Sequence, residues 1–201
     1  MNANPTTDVL FAGVGGQGTV LASAILANLC LSAGYDVKQS EVHGMAQRGG
    51  SVTSHVRFGS RVWSPTIPAG EADFLVGFEL LEGLRMIGSL APDGVALVNT
   101  QRIDPITVAS GATQYPEDAG EQILARSPRA VLVDAFAIAR AAGNPRATNM
   151  ALLGALSAHL DISLDLWEDG IRGRVPPKTF AANWAAFSAG RELGSTSQGR
   201  H

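Results

Sequence analysis

The sequence predicts an α/β fold: a single doubly wound, mostly parallel sheet of Rossmann-like type with a helical C-terminal third. Three observations predict it. An apolar run, Val9-Leu10-Phe11-Ala12, enters a glycine turn, Gly13-Val14-Gly15-Gly16-Gln17-Gly18, and leaves it as the helical run Val20 to Leu29. Short apolar runs then alternate with helical ones, as a parallel sheet with crossover helices requires. From Thr148 onward the pattern is helical throughout.

Taken in order, the second strand is expected over Tyr35 to Glu41 and a third over Val52 to Phe58, where apolar and polar residues alternate. Gly59-Ser60 then reads as a hairpin turn into Arg61-Val62-Trp63. Ser64 to Gly70 is punctuation, Ala72 to Phe78 a buried strand, and Glu79 to Leu90 its crossover helix, stopped by Pro92-Asp93-Gly94. Val95 to Asn99 is a further strand, Ile106 to Val108 a short one, Glu117 to Arg126 a helix and Ala130 to Asp134 the last parallel strand. Asp134 is expected to cap the helix Ala135 to Ala142 by accepting its free amides. Gly143-Asn144-Pro145 breaks that helix, and Thr148 to Leu160 follows, apolar nearly all round and therefore buried. After the helix Leu164 to Arg174, Phe180, Trp184 and Phe187 recur on one helix face as a packing stripe. The expected domain covers residues 1–194, with residues 195–201 a disordered tail.

Composition narrows the function. The 201 residues suit one domain of ordinary size. A formal net charge of -3, without runs of like charge, argues against nucleic acid and against a polybasic membrane patch. The start of the chain carries no leader pattern and no long apolar span follows, so a cytoplasmic location is expected. The lone cysteine, Cys30, excludes an internal disulfide framework and a cluster ligated by this chain's own thiolates; it reads as a small buried residue. Charged residues make up 16% of the chain, against about 25% in ordinary soluble domains. A surface short of charge points to coverage by another subunit.

Two stretches carry the candidate site. Gly13, Gly15 and Gly18 fit G-x-G-x-x-G, in which absent side chains allow a tight turn and close approach of the backbone to a phosphate at a helix N-terminus. Read instead as a phosphate-transfer loop, the motif has Thr19 where the lysine belongs, which argues against nucleotide hydrolysis. The only acid placed for a dinucleotide ribose is Glu41, and it comes late. The second stretch, Glu41 to Ser51, gathers Glu41, His43, Gln47, Arg48 and Ser51 among three glycines. Gly49 and Gly50 free the backbone to bring Arg48 against an anion or a neighbouring chain. His43 and His55 lack the companions a metal site needs, and none is expected.

Together, Gly13 to Gly18 and the segment Glu-Val-His-Gly-Met-Ala-Gln-Arg-Gly-Gly over residues 41–50 resemble the gamma-type domain of the 2-oxoacid:ferredoxin oxidoreductases. Within that family they are similar to the small (beta) subunit of the indolepyruvate type. Gly143-Asn144, Asn149-Met150, Leu153-Gly154, Asn183, Phe187 and Gly190 are similar to that family's C-terminal helices, so the likeness covers nearly the whole chain. The resemblance implies a subunit of an enzyme that oxidatively decarboxylates an arylpyruvate, with coenzyme A (CoA), to an aryl-acetyl-CoA and CO2, passing electrons to ferredoxin. Thiamine diphosphate with Mg and the 4Fe-4S clusters are then held by a large alpha subunit, in a hetero-oligomer. On this likeness Gly13, Gly15, Gly16, Gln17, Gly18, Gln47, Arg48 and Gly49 serve CoA or the partner surface, and Glu41 and His43 are weaker catalytic candidates. Two other expectations stand beside it: a stand-alone NAD(P)- or flavin-binding reductase domain, and a purely structural assembly subunit.

Overall fold

In the computed structural model, which describes residues 6–43, 50–105, 108 and 111–198, the described strands form one six-stranded sheet in the order β2-β3-β1-β4-β5-β6. The strands are β1 (Thr7–Val14), β2 (Asp36–His43), β3 (Ser51–Gly59), β4 (Ala72–Gly77), β5 (Leu90–Asn99) and β6 (Ala130–Val133). β1 pairs parallel with β4, β4 with β5 and β5 with β6, whereas β3 runs antiparallel to both of its neighbours, β1 and β2. Five strands therefore point one way and β3 alone is reversed. The expected doubly wound, mostly parallel sheet is present, with one strand inserted where the simple pattern would pair β1 with β2.

Alternate residues of each strand face opposite layers. Val9 and Phe11 of β1, Val76 of β4 and Leu97 of β5 pack beneath α1 (Thr19–Ser32) and the C-terminal helices. Leu10, Ala12, Leu75, Ala96 and Val98 meet the second layer, formed by α2 (Leu80–Met86) and α3 (Ala119–Arg126). The C-terminal helices are α4 (Ala135–Ala141), α5 (Thr148–Ser157), α6 (Leu164–Arg172) and α7 (Phe180–Gln198). All of α5 after Thr148 is buried, as its all-round apolar sequence predicts. Its seam with α7 is made from small residues: a Cβ on Gly154 would lie 1.9 Å from the Phe187 carbonyl oxygen, and one on Gly190 would lie 2.0 Å from that of Ala151. The expected aromatic stripe is packing, with Trp184 stacked between Phe180 and Phe187 at centroid distances of 6.3 and 5.0 Å.

Several boundaries differ from the sequence expectation for identifiable reasons. Arg61-Val62-Trp63 is not a strand. β3 already has a partner on each side, so no free edge remains for it, and the Val62 amide donates instead to Asp36 Oδ2 at 2.8 Å. Arg57 anchors this connection by donating to the Thr66 carbonyl at 2.9 Å while pairing with both oxygens of Asp8. Pro92-Asp93-Gly94 does not end a helix. That helix turns into a short 3-10 segment, Ile87–Ser89, and β5 starts at Leu90 with the Pro-Asp-Gly carried in a register shift against β4. Proline lacks the amide a regular ladder needs, so a bulge is where it is tolerated. Of the short strand expected at Ile106 to Val108, Val108 is helical and the other two positions lie outside the described residues. The last helix continues through Gln198, past the boundary drawn at 194.

Candidate functional site at the carboxyl edge of the sheet

β1, β4, β5 and β6 end on the same edge, and antiparallel β3 begins there. From β1 the chain leaves first to one side, through α1 to β2 and β3, and then to the other, β4. This is the switch point at which open α/β sheets bind ligands.

The glycine turn occupies it. Gly16 and Gly18 adopt φ of 102° and 82°, a region that L side chains rarely enter. A Cβ on Gly13 would sit 2.8 Å from both Phe78 Cβ and Thr19 Oγ1, so glycine is required there for close packing. Gly18 is the N-cap of α1, and a Cβ on it would approach Asn149 Nδ2, from α5, to 2.6 Å. Gln17 spans the turn: its Oε1 accepts from the Val14 amide at 2.8 Å and its Nε2 donates to the Phe78 carbonyl at 2.9 Å. Its side chain braces β1 against the end of β4. Among the described residues, nothing lies within 4 Å of a hypothetical Cβ on Gly16, at the apex of the turn. Thr19 Oγ1, in the first turn of α1, is buried and has no hydrogen-bond partner among the described residues.

The second stretch converges on the first. The Gly15 amide donates to the Gly50 carbonyl at 2.9 Å, and Ser51 Oγ donates to Glu82 Oε2 at 2.6 Å. β2 ends at His43 in register with Val52, and Val52 pairs with Gly13. One root of the 44–49 segment, Gly50, is therefore at the glycine turn, and the other, His43, ends β2 two strands away on the same edge. Gln47, Arg48 and Gly49 lie outside the described residues, as does the side chain of His43.

Glu41 is placed differently from the dinucleotide expectation. It is paired with Ser54, which pairs with Phe11, so it lies two strands from β1 and short of the turn. With strands about 4.8 Å apart, the inserted β3 puts roughly 10 Å between Glu41 and the line of β1. Gln39 Nε2 donates to Glu41 Oε1 at 3.2 Å.

Sequence reasoning missed the buried polar groups that shape this edge. Glu79, 1% exposed, caps α2 through the Glu82 amide at 2.9 Å and accepts from Tyr115 OH at 2.5 Å and the Ile103 amide at 3.1 Å. Burial and the neighbouring Glu79 carboxylate push the Tyr115 hydroxyl well above its ordinary value, so it remains a donor. Asn99 was singled out only as a strand end. Fully buried, it donates to the Phe78 carbonyl at 3.0 Å and accepts from the Ala135 amide at 3.2 Å, tying β5 to β4 and α4. Asp134 caps α4 as expected, accepting from the Ala137 amide at 2.9 Å. Cys30 is buried, and burial pushes its thiol up to about 12. His55 is a half-buried acceptor for the Ile67 amide at 3.2 Å. The available signal was Glu79 standing three residues before Glu82 after an apolar run, the spacing of a helix cap.

The fold is a mostly parallel sheet with one reversed strand and a glycine turn at its switch point. The chain belongs to the pyruvate ferredoxin/flavodoxin oxidoreductase family, whose signature matches residues 8–193. It is 39% identical over 195 residues to the indolepyruvate oxidoreductase subunit IorB of Thermococcus kodakarensis, covering 91% of this chain and 93% of that protein. The same subunit of Pyrococcus horikoshii is 38% identical over 188 residues, with coverage of 91% and 93%. Among solved structures, the gamma subunit of a keto/oxoacid ferredoxin oxidoreductase from Geobacter sulfurreducens has the same fold, with a TM-score of 0.70, 23% identity, and coverage of 95% of this chain and 99% of that one. The chain is thus similar throughout to subunits of multi-subunit oxidoreductases and is an enzyme subunit that functions within a hetero-oligomer. No helix among the described residues is long and apolar enough to cross a membrane.

Proposed function

We propose that this chain is the cluster-free small subunit of a thiamine-dependent arylpyruvate:ferredoxin oxidoreductase, and that its glycine turn and Arg48 serve a phosphate of CoA. In the reaction, an arylpyruvate and CoA yield an aryl-acetyl-CoA, CO2 and a proton, and the two electrons reduce ferredoxin. Thiamine diphosphate supplies the carbanion chemistry and 4Fe-4S clusters the electron path. This chain does not fit the clusters: one buried thiol cannot furnish four cluster ligands. They belong on this reading to the large alpha subunit.

The observation that carries the proposal is the convergence of the glycine turn with the root of the Arg48 loop, joined by the bond from the Gly15 amide to the Gly50 carbonyl. The residues there suit an anion. Among the described residues nothing crowds Gly16 and nothing bonds the Thr19 hydroxyl, and the N-terminus of α1 supplies amides and the positive end of its dipole. The partner surface has its own support. α1 carries no charged residue in 14 positions, and Val20 and Leu31 are exposed on it at 40% and 55%. An outward-facing helix of that kind suits coverage by another chain.

Arg48→Ala in the assembled enzyme tests the assignment. The expected result is a KM for CoA raised roughly tenfold or more, from loss of a charge-assisted contact. An intact complex with unchanged CoA kinetics refutes it and leaves the subunit a structural one.

A further inference from the structure

We propose that a trough at the amino edge of the sheet is a second ligand site, separate from the glycine turn, and that it takes a small organic ammonium ion with an aromatic body. The proposal stands apart from the assignment of the glycine turn and Arg48. The trough has a volume of about 1100 Å³, and all of its lining residues are among the described ones. That is room enough for a small organic ligand. It lies where β1, β4, β5 and β6 begin, between those strand starts and residues 159–162, which follow α5. The eight residues of β1 put roughly 25 Å between it and the glycine turn.

Walls and charges together select the ligand. Tyr35, Phe58 and Phe74 line the trough, Tyr35 edge-on to Phe58 at 5.5 Å between centroids and Phe74 tilted against the His159 ring at 5.9 Å. Aromatic walls take a flat apolar body out of water and attract a cation to their ring faces. The ionisable groups are unbalanced: Asp73, Asp93 and Asp161 line the trough against one guanidinium, that of Arg129, which donates to the Asp93 carbonyl. His159 adds no charge, because burial and the neighbouring Arg129 hold its pKa below the ordinary value. Two helices also end here. The C-cap of α1 is Ala33, two residues before Tyr35, and that of α5 is Ala158, next to His159, so the negative ends of both dipoles lie at this edge. Asp73 is the anchor. It is half-buried, and its Oδ2 is fixed by accepting from the Asp8 amide at 2.8 Å, while Asp8 pairs with Arg57 through both of its own oxygens. Burial raises the Asp73 pKa, a penalty on its charge that an ammonium placed beside it relieves. An anion meets the reverse of each of these effects, and a neutral ligand gains the walls alone.

The test is isothermal titration calorimetry with 2-phenylethylamine on the full chain and on the assembled complex. Two analogues accompany it: 2-phenylethanol, with a hydroxyl in place of the ammonium, and 3-phenylpropionate, with a carboxylate. The amine is expected to bind both preparations with a Kd of about 1 mM or tighter, the affinity open to a ligand of that size. Each analogue is expected to bind about tenfold more weakly or worse. Asp73→Asn keeps an acceptor for the Asp8 amide and removes the charge, so the amine Kd should rise about tenfold while the melting temperature is held or raised. Asp161→Asn, at the exposed rim, should raise it only about two- to threefold. Absence of saturable heat with the amine up to about 10 mM overturns the proposal. Equal affinity for all three ligands does the same, as does an amine Kd that Asp73→Asn leaves unchanged. Binding to the chain alone that assembly abolishes also overturns it, because the trough is then a contact between subunits.

Discussion

Gly190→Ala adds one methyl group, and the α5/α7 seam gives it nowhere to go. Its Cβ would lie 2.0 Å from the Ala151 carbonyl oxygen, 2.8 Å from the carbonyl carbon and 3.0 Å from Cα. All three are main-chain atoms of a buried helix, so no side chain can rotate away. Ordinary contact begins at 3.4 Å, which requires the helices to part by more than an ångström. Gly154 and Gly194 make the same kind of approach, to the carbonyl oxygens of Phe187 and Ala155, so the seam opens along its length. A gap of that size forfeits a quarter to a half of the dispersion energy across it. The expected cost is at or above the upper end for overpacking, about 3 kcal/mol. For a chain of this size that corresponds to a fall in melting temperature of roughly 6–12 °C. Gly88→Ala is the control, since Gly88 has open space around its Cβ position and no positive φ. It should be neutral or stabilise by less than about 1 kcal/mol. Urea unfolding of the purified chain, followed by circular dichroism, measures both. A Gly190→Ala variant within about 0.5 kcal/mol of the parent would refute the reasoning, because only background surface substitutions are that mild.

Two further outcomes follow from buried polar groups. Asn99→Ala strands the Ala135 amide in a buried place and removes one of two side-chain donors to the Phe78 carbonyl, which keeps Gln17; it should cost about 1–3 kcal/mol in the same urea experiment. Burial lowers the pKa of His55 and of His159 below the ordinary 6.5. The unfolded chain therefore takes up protons that the folded one refuses, and stability falls as pH drops below 6.5 through the folded-state values. His55→Gln keeps an acceptor for the Ile67 amide and removes the titration, so melting temperature plotted against pH should fall less steeply on the acid side. A slope equal to the parent's would exclude His55 as a contributor.

The sheet was legible where each strand reported its own environment. Val9 to Ala12, Leu75 to Gly77 and Val95 to Val98 are buried on both faces, and such stretches read as continuous apolar runs. β3 alternates because one of its faces is polar, with Thr53, His55 and Arg57 opposite Val52, Val56 and Phe58. Its alternation gave the strand but not its neighbours. Pairing order is a property of the sheet, and nothing in Ser51 to Gly59 states that it lies between β1 and β2. The false hairpin at Gly59-Ser60 has the same origin, since that turn is locally well formed for a strand whose edges were already taken. At the site, the glycine turn was legible because positive φ at Gly16 and Gly18 and the close approach at Gly13 restrict composition. Glu79 and Glu82 were not. A buried carboxylate and a solvated one are the same letter, and only tertiary packing distinguishes them.

The inserted strand also bears on the dinucleotide pattern that a glycine turn can serve. In a dinucleotide site, the strand beside β1 ends in the acid that holds the ribose. Here that position belongs to β3, and because β3 is reversed it presents its first residue at the ligand edge instead of its last. The neighbour of the glycine turn is therefore the exit of a loop, not the carboxylate of Glu41. Gly50 and Ser51 occupy the place, each bonded to a fixed group, and the nearest cation in sequence, Arg48, is three residues away. What stands beside the turn is thus main chain and a serine hydroxyl, without the acid that a ribose would need. One strand reversal accounts for both the failure of the dinucleotide pattern at Glu41 and the juxtaposition of the two sequence motifs.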